Sequence, residues 1–116
     1  MKNLFVTIFF IFLPFIFIDH SLAYEYVPVN INDPKVIEMA KFAVKRNNEK
    51  FGDMYEFSRV ISGRSIDLRP MGNGNGITYD LNIIVVLGRP EQKFQVVVVD
   101  WLPPRPRFLA IFKEIP

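Results

Sequence analysis

The chain has 116 residues and a formal net charge of +2, because 14 Lys and Arg residues nearly balance 12 Asp and Glu residues. This length suffices for one small domain. So small a charge, without a basic run or stripe, argues against a nucleic-acid-binding protein. The sequence contains no cysteine, so disulfides are excluded and the core alone must stabilise the domain.

The first 23 residues have the pattern of a secretory signal peptide. Lys2 gives a basic start, residues 4–18 form an almost unbroken apolar run, and Ser21 and Ala23 are the small residues of a cleavage site. The apolar run is shorter than the roughly 20 residues of a spanning helix, although a retained membrane anchor is the alternative. We expect cleavage after Ala23, which leaves a domain over residues 24–116 that is secreted to the extracellular space or the vacuole and has no membrane attachment.

The inventory of reactive side chains argues against an enzyme. His20, the only histidine, lies within the predicted signal peptide, so residues 24–116 contain neither histidine nor cysteine. Zinc sites, Ser-His triads and Cys-His pairs are therefore excluded. Two carboxylates can also perform acid–base chemistry, but Asp67, Asp80 and Asp100 are scattered along predicted strands and turns. We interpret them as solvated surface charge.

A strand and a helix are the first elements predicted after the signal peptide. Residues 24–31 (YEYVPVNI) are aromatic and β-branched, which is typical of a strand. A helix follows, because Asn32 or Asp33 can accept hydrogen bonds from its first free amides and Pro34 suits its first turn. Gly52 is a natural stop. The apolar positions at helical spacing are Val36, Ile37, Ala40, Ala43, Val44 and Phe51.

The sequence after Gly52 predicts strands and turns only. Residues 55–62 (YEFSRVIS) alternate, which predicts Phe57 and Arg59 on one face and Val60 on the other. Residues 77–87 (ITYDLNIIVVL) alternate clearly, and residues 93–101 (KFQVVVVDW) and 107–115 (RFLAIFKEI) are the last two strands. The prolines of residues 103–106 interrupt the pairing, since proline cannot donate to a ladder. The predicted domain is α+β, with the helix covering one face of a four- to five-stranded antiparallel sheet.

The glycine-rich segment 71–76 (MGNGNG) lies between two of these strands. A phosphate-binding loop would lead from a strand into a helix, whose N-terminal amides hold the anion. This segment leads instead into a strand, and Gly and Asn tolerate the positive φ of hairpin turns. We therefore predict a long hairpin loop in which Met71 is the apolar anchor.

Three stretches resemble plant cystatins. Segments 56–63 (EFSRVISG) and 108–115 (FLAIFKEI) are similar to strands of that family and come in the same order, and the lack of disulfides fits its plant members. Residues 31–48 (INDPKVIEMAKFAVKRNN) resemble the family's helix signature, Leu-Ala-Arg-Phe-Ala-Val followed by Asn. The matching positions are Met39, Ala40, Lys41, Phe42, Ala43, Val44 and Asn47.

The resemblance to cystatins implies a fold and a function. The fold is a strand, a helix and four further strands, with the sheet wrapped around the helix. Cystatins inhibit papain-like cysteine proteases, a role that in plants belongs to defence. Inhibition is reversible and competitive, because a wedge enters the active-site cleft without covalent chemistry. The expected partner of this monomeric inhibitor is therefore the protease, with no cofactor, metal ion or nucleic acid involved.

The resemblance also implies a site built from an N-terminal arm and two hairpin loops, and all three depart from the family pattern. The arm lacks its glycine, the first loop lacks Gln-x-Val-x-Gly and contains the MGNGNG segment, and in the second loop the tryptophan comes before the proline. The predicted protease-binding residues are Tyr24, Glu25 and Tyr26 of the arm, Ile66, Asp67, Leu68, Arg69, Pro70, Met71, Gly72, Gly74 and Gly76 of the first loop, and Asp100, Trp101, Leu102 and Pro103 of the second.

These departures leave alternatives open. The second hypothesis is a cystatin-fold module without protease inhibition that serves as a structural or protein-binding domain. Trp101 can anchor an interface or equally pack on the sheet. Residues 103–106 (PPRP) are interpreted as a rigid connection, with a proline-motif ligand as the other interpretation.

Cleavage of the signal peptide gives the first testable prediction. N-terminal sequencing of protein secreted by expressing cells should begin at or next to Tyr24, because the small residues end at Ala23. An intact Met1 end recovered in the membrane fraction would show that the segment is an anchor instead.

Overall fold

The computed structural model describes residues 25–69 and 76–116, so the predicted signal peptide lies outside the described residues. The elements, in chain order, are β1 (Val27–Pro28), α1 (Pro34–Phe51), β2 (Glu56–Asp67), β3 (Gly76–Val86), β4 (Glu91–Trp101) and β5 (Phe108–Glu114). The five strands form one antiparallel sheet in the order β1-β2-β3-β4-β5. One helix packs on one face of this open sheet, which confirms the α+β class.

Local signals set both ends of α1 where the sequence predicts them. The Asp33 carboxylate accepts a hydrogen bond from the backbone N–H of Lys35, at 2.9 Å, and Pro34 occupies the first turn. At the other end Gly52 has a φ of 71°, in the left-handed region, and its N–H donates to the carbonyl of Asn48 at 2.8 Å. The helix therefore begins and ends for reasons contained in its own sequence.

The inner face of α1 forms the core together with the sheet. Its buried residues are Val36, Met39, Ala40, Ala43, Val44 and Asn47. The predicted apolar face is wrong at two positions, because Ile37 is half-buried and Phe51 is 65% exposed. The buried stripe ends at Asn47, whose amide donates to Asp53 at 3.0 Å, and Phe51 lies one helical turn further on.

The centre of the sheet supplies the other half of the core. β3 pairs along its length with β2 and with β4, so neighbouring strands cover both of its edges. Its predicted alternation is confirmed, and Leu81, Ile83 and Val85 are fully buried. Residues Val96 and Val98 of β4 are also fully buried, and β4 pairs with both β3 and β5, so the VVVV run is not an exposed edge.

The predicted alternation of β2 is wrong at Val60. The β2–β3 register shifts between Phe57 and Arg59 and again between Val60 and Ser62. Each shift adds a residue to one strand and reverses the face of those that follow. Val60 is consequently 6% exposed, and Phe57 packs against the same core cluster, whereas Arg59 is exposed.

The predicted first strand is much shorter than the sequence pattern of residues 24–31. Among the described residues 25–31, the strand comprises only Val27–Pro28, which pairs with β2, and the Val29 N–H adds a hydrogen bond to the Gly63 carbonyl at 3.1 Å. Pro28 has no N–H to donate, and a turn follows within two residues. In that turn the Asp33 N–H donates to the Asn30 carbonyl at 3.0 Å, and the Asn30 side chain accepts from the Asn32 N–H at 2.9 Å.

The helix–sheet contact can be tested with Ala43→Asp. Ala43 is fully buried, so the variant places an unpaired carboxylate in the core and should lower the free energy of unfolding by several kcal/mol. Urea denaturation measures this loss. The matched control is Lys41→Asp, which introduces the same side chain at an exposed position of α1. Equal stability of the two variants would contradict the packing of α1.

Candidate functional site

The strand register brings the predicted arm and loops to one end of the sheet. Asp67, at the end of β2, pairs with Ile77 near the start of β3, and Ile77 pairs in turn with Asp100 near the end of β4. The β2–β3 hairpin and the β4–β5 connection therefore leave the sheet side by side. We call this region the loop end; it comprises Glu25 and Tyr26, residues 66–69, Gly76 and residues 100–107.

The arm reaches the loop end through β1. Val27 pairs with Ser65, so Tyr26 lies beside the last residues of β2. Tyr26 is 41% exposed, and the Arg64 guanidinium carbon lies 4.4 Å from the centroid of its ring, a cation–π contact. Of the predicted site residues, Tyr24, Pro70, Met71, Gly72 and Gly74 lie outside the described residues.

The described part of the first loop is held by local pairing. The Leu68 N–H donates to the Gly76 carbonyl at 2.9 Å, one step beyond the last strand pair. The Arg69 guanidinium and backbone N–H both donate to the Asp67 carboxylate, at 2.9 and 3.0 Å. The side-chain hydrogen bond, followed by the backbone one, lowers the pKa of Asp67 to about 2. Because segment 71–76 leads into β3, a phosphate-binding loop at the start of a helix is excluded.

Gly76 allows the two loops to approach each other. A Cβ atom at Gly76 would lie 2.6 Å from the carbonyl oxygen of Asp100 and 3.0 Å from the Cα of Trp101. Both neighbours are backbone, so any larger residue would push the end of β3 away from β4. Sequence reasoning assigned Gly76 to a turn, but the close approach of β4 is what requires glycine here.

The second loop exposes apolar side chains at its tip. Leu102 is 45% exposed, Pro103 is exposed and Trp101 is half-buried. The Arg105 guanidinium lies 5.0 Å from the centroid of the Trp101 ring and covers one of its faces. The Arg105 N–H also donates to the Leu102 carbonyl at 3.2 Å. Trp101 is therefore partly packed by its own loop and partly available for contact.

Four charged side chains form a closed ring at the base of the second loop. One carboxylate oxygen of Asp100 lies 3.1 Å from the Lys35 ammonium, and the other lies 3.1 Å from Nε of Arg107. Glu38 completes the ring, because one of its carboxylate oxygens lies 2.8 Å from the Arg107 guanidinium and 3.4 Å from the Lys35 ammonium. We call it the ion ring. It joins the first turn of α1 to the end of β4 and to the residue before β5.

Sequence reasoning missed the ion ring apart from Asp100. The Lys35 and Glu38 spacing of three residues on a helix is a weak local signal, but their pairing with Asp100 and Arg107 depends on the tertiary fold. Partial burial acts to raise the pKa of Asp100, yet the hydrogen bonds from Arg107 and Lys35 outweigh it and lower this pKa overall. The hydrogen bond to Asp100 correspondingly raises the pKa of Lys35.

A cleft of about 390 Å³ separates the first loop from the second. It is lined by Lys35, Arg69, Ile77, Asp100, Trp101 and Leu102, among others. Charges of both signs meet there and are already paired with each other. In the part of the chain that the structure describes, no cluster of three or more His, Cys, Asp or Glu side chains is placed to hold a metal ion. The loop end is thus suited to binding a partner through apolar contact and complementary shape.

Comparisons with known proteins do not assign a family to the chain. No protein-family model matches it, and no curated protein matches its sequence. No helix within residues 25–69 and 76–116 is long and apolar enough to cross a membrane.

The ion ring predicts a specific dependence of stability on pH. The pKa of Asp100 is lowered in the folded state, so the ring contributes stability above the unfolded pKa of about 3.8 and loses it as pH falls through the folded value. Asp100→Asn should therefore lower the free energy of unfolding by about 1.5 kcal/mol at neutral pH, a typical value for hydrogen bonds to a charged group. The difference from the parent should shrink below about pH 3, as measured by urea denaturation at both pH values.

Asp67→Asn is the matched control for this measurement. Hydrogen bonds from Arg69 lower the pKa of Asp67 to about 2, but the Asp67 side chain is 42% exposed and its partner is only two residues away in the chain. Such a pair forms in the unfolded chain as well, so the control should change stability less than Asp100→Asn. A loss of stability by Asp100→Asn that is equal at both pH values would contradict the role of the charge.

Proposed function

We propose that the chain is a reversible, competitive inhibitor of papain-like cysteine proteases with weak or altered affinity, built on a cystatin-like fold. The observation that carries the proposal is the register, since Asp67, Ile77 and Asp100 stand in one row and bring two loops and the arm to the same end of the sheet. A wedge needs such a shared end. The order of the elements, one strand, one helix and four strands, is also that of a cystatin.

The chemistry of the loop end supports binding by apolar contact. Tyr26, Trp101 and Leu102 present aromatic and aliphatic surface from the arm and the second loop. Aromatic side chains of this kind are the residues that most often anchor protein interfaces. With no cysteine in the chain and its only histidine at position 20, the inhibitor occupies the cleft without forming a covalent bond.

The ion ring supports the proposal by holding the second loop in place before binding. Asp100 is fixed from two sides by Lys35 and Arg107, and Trp101 follows it directly. A loop that is ordered before contact loses less conformational entropy on binding. The first loop should instead lower the affinity, because a glycine- and asparagine-rich tip loses more conformational entropy on binding than a tight turn does. Weak or altered affinity is the expected balance.

The proposed inhibitor acts outside the cell or in the vacuole. The signal-peptide pattern of residues 1–23 supports entry into the secretory pathway. We take the chain to act there as a monomer, with a protease as its protein partner and without a cofactor.

One observation favours the second hypothesis, a cystatin-fold module that binds a different protein. Arg105 covers a face of the Trp101 ring, at 5.0 Å from its centroid, and a protease cleft would have to displace it or accept it. The absence of the Gln-x-Val-x-Gly and Pro-Trp motifs also favours this second hypothesis. This module would use the loop end for a partner whose surface matches a guanidinium stacked on an indole.

Titration of papain activity with the purified chain tests the proposal. Inhibition should raise the apparent KM for a peptide substrate and leave kcat unchanged, because the inhibitor and the substrate compete for one cleft. Trp101→Ala should weaken inhibition by about 2 kcal/mol, or about 30-fold in the inhibition constant. The matched control is Leu87→Ala, since Leu87 is 49% exposed but follows β3 at the opposite end of the sheet.

A loop replacement separates the two hypotheses. A short Gln-Val-Val-Ala-Gly tip between Ile66 and Gly76 should tighten inhibition by restoring the family motif and lowering the ordering entropy. A parent chain that fails at micromolar concentration, with a replaced loop that inhibits, would favour the second hypothesis. Failure of both chains would reject the loop end as a protease wedge.

A further inference from the structure

A groove runs between the second half of α1 and the edge strand β5. It has a volume of about 600 Å³, larger than the 390 Å³ cleft at the loop end. β5 pairs with β4 on one side only, and within the described residues no strand pairs with its other side. An unpaired strand edge presents free N–H and C=O groups that a further strand can use.

The walls of the groove combine phenylalanine with positive charge. Phe42 and Phe51 line it from α1, and Phe51 is 65% exposed. The Arg107 guanidinium lies 5.5 Å from the ring centroid of Phe42, and the Lys50 ammonium lies 5.5 Å from that of Phe51. Arg46 adds a third cation between them. Each of the two phenylalanines of α1 is thus accompanied by a cation, and three cations line the groove.

One carboxylate offsets this charge only in part. Glu49 is the acidic residue among those that line the groove. Arg107 is engaged by the ion ring, but Arg46 and Lys50 form no ion pair among the described residues. An occupant with acidic side chains would therefore be attracted, and one with basic side chains repelled.

The length of the groove fits a short extended segment. From Phe42 to Phe51 the helix rises about 13 Å at roughly 1.5 Å per residue. From Phe108 to Phe112 the strand rises about 14 Å at roughly 3.4 Å per residue. Both walls thus match an extended peptide of about five residues.

We propose that this groove binds an extended peptide segment of a partner protein, with apolar side chains in its centre and acidic side chains at its ends. The segment adds to the sheet beside β5, so its backbone pairs with the free edge and alternate side chains point toward the phenylalanines of α1. The acidic ends lie near Arg107 and Lys50. The groove meets the loop end at Pro106 and Arg107, but its α1 wall lies outside the loop end, so the proposal does not rest on protease inhibition.

A second copy of the chain fits the same groove less well. Its β5 would bring Lys113 to a partner groove that already contains Arg46 and Lys50, and lysine on an edge strand discourages such pairing. The register of β5 also shifts, since Val97 pairs with Ile111 but Val98 pairs with Leu109. This irregularity hinders pairing of β5 with a long strand of a second copy but still allows a short strand to pair.

Fluorescence anisotropy with a labelled, end-capped peptide tests the proposal. The probe is Glu-Val-Phe-Val-Glu, which has the proposed alternation and charge, titrated with the purified chain. We expect saturable binding, and at least tenfold weaker binding by two control peptides. Lys-Val-Phe-Val-Lys reverses the charge, and Glu-Val-Pro-Val-Glu removes a central N–H. In NMR spectra the probe should shift the backbone amides of residues 108–112.

Matched variants locate the site. Phe51→Ser and Lys50→Glu change exposed residues of the groove, so both should keep the parent's circular dichroism spectrum while binding the probe at least tenfold more weakly. Met54→Ser removes an apolar side chain that is 77% exposed and does not line the groove. Lys41→Glu reverses a charge beside a different groove, on the side of α1 that faces β2. Both controls should bind like the parent.

Several outcomes would overturn the proposal. Unchanged binding by Phe51→Ser, or equal binding of the lysine peptide, would reject the groove as an acidic-peptide site. A parent chain that sediments as a dimer, with Phe51→Ser as a monomer, would assign the groove to a second copy instead. Papain inhibition by the chain, where present, should be unaffected by Phe51→Ser and Lys50→Glu, which separates this proposal from the one for the loop end.

Discussion

The packing of α1 against β3 and β4 is the contact on which the rest of the domain depends. Ala40 and Ala43 are fully buried and have the smallest side chains of the buried helical face, so the helix axis can lie close to the sheet. Fully buried Leu81 and Ile83 of β3 lie across from it. A chain without cysteine has no covalent substitute for this contact, so loss of the helix would expose the inner face of the whole sheet.

The same contact organises the loop end. Because α1 begins at Pro34, fixed by the Asp33 cap, its first turn places Lys35 and Glu38 at the end of β4. The ion ring with Asp100 and Arg107 then ties the second loop to the core. The Asp100 and Arg107 side chains are only 20% and 26% exposed, so their pair is more than a surface ion pair, which by itself would contribute little. The position of the proposed binding loop is therefore a consequence of where the helix starts.

Sequence could predict the features that depend on local chemistry. The cap at Asp33, the stop at Gly52 and the alternation of β3 each have a local cause, and each is confirmed. The face of Val60 was predicted wrongly, because the register shift between Phe57 and Arg59 reverses the alternation before it and no residue of β2 signals this shift. The ion ring could not be predicted either, because Arg107 meets Glu38 only after the sheet and the helix have packed. The protease-binding role of the loop end stays a prediction.

The distribution of charge divides the molecule into two different binding chemistries. At the loop end Asp67 pairs with Arg69 and Asp100 lies within the ion ring, while the Arg105 guanidinium stacks on Trp101, so association there depends mainly on shape and apolar area. The groove beside β5 contains Arg46 and Lys50 without ion pairs among the described residues. Attraction between exposed charges is screened beyond about 10 Å at 0.1 M salt. Binding in the groove should consequently weaken as ionic strength rises, and more than binding at the loop end does, although the two surfaces meet at Pro106 and Arg107.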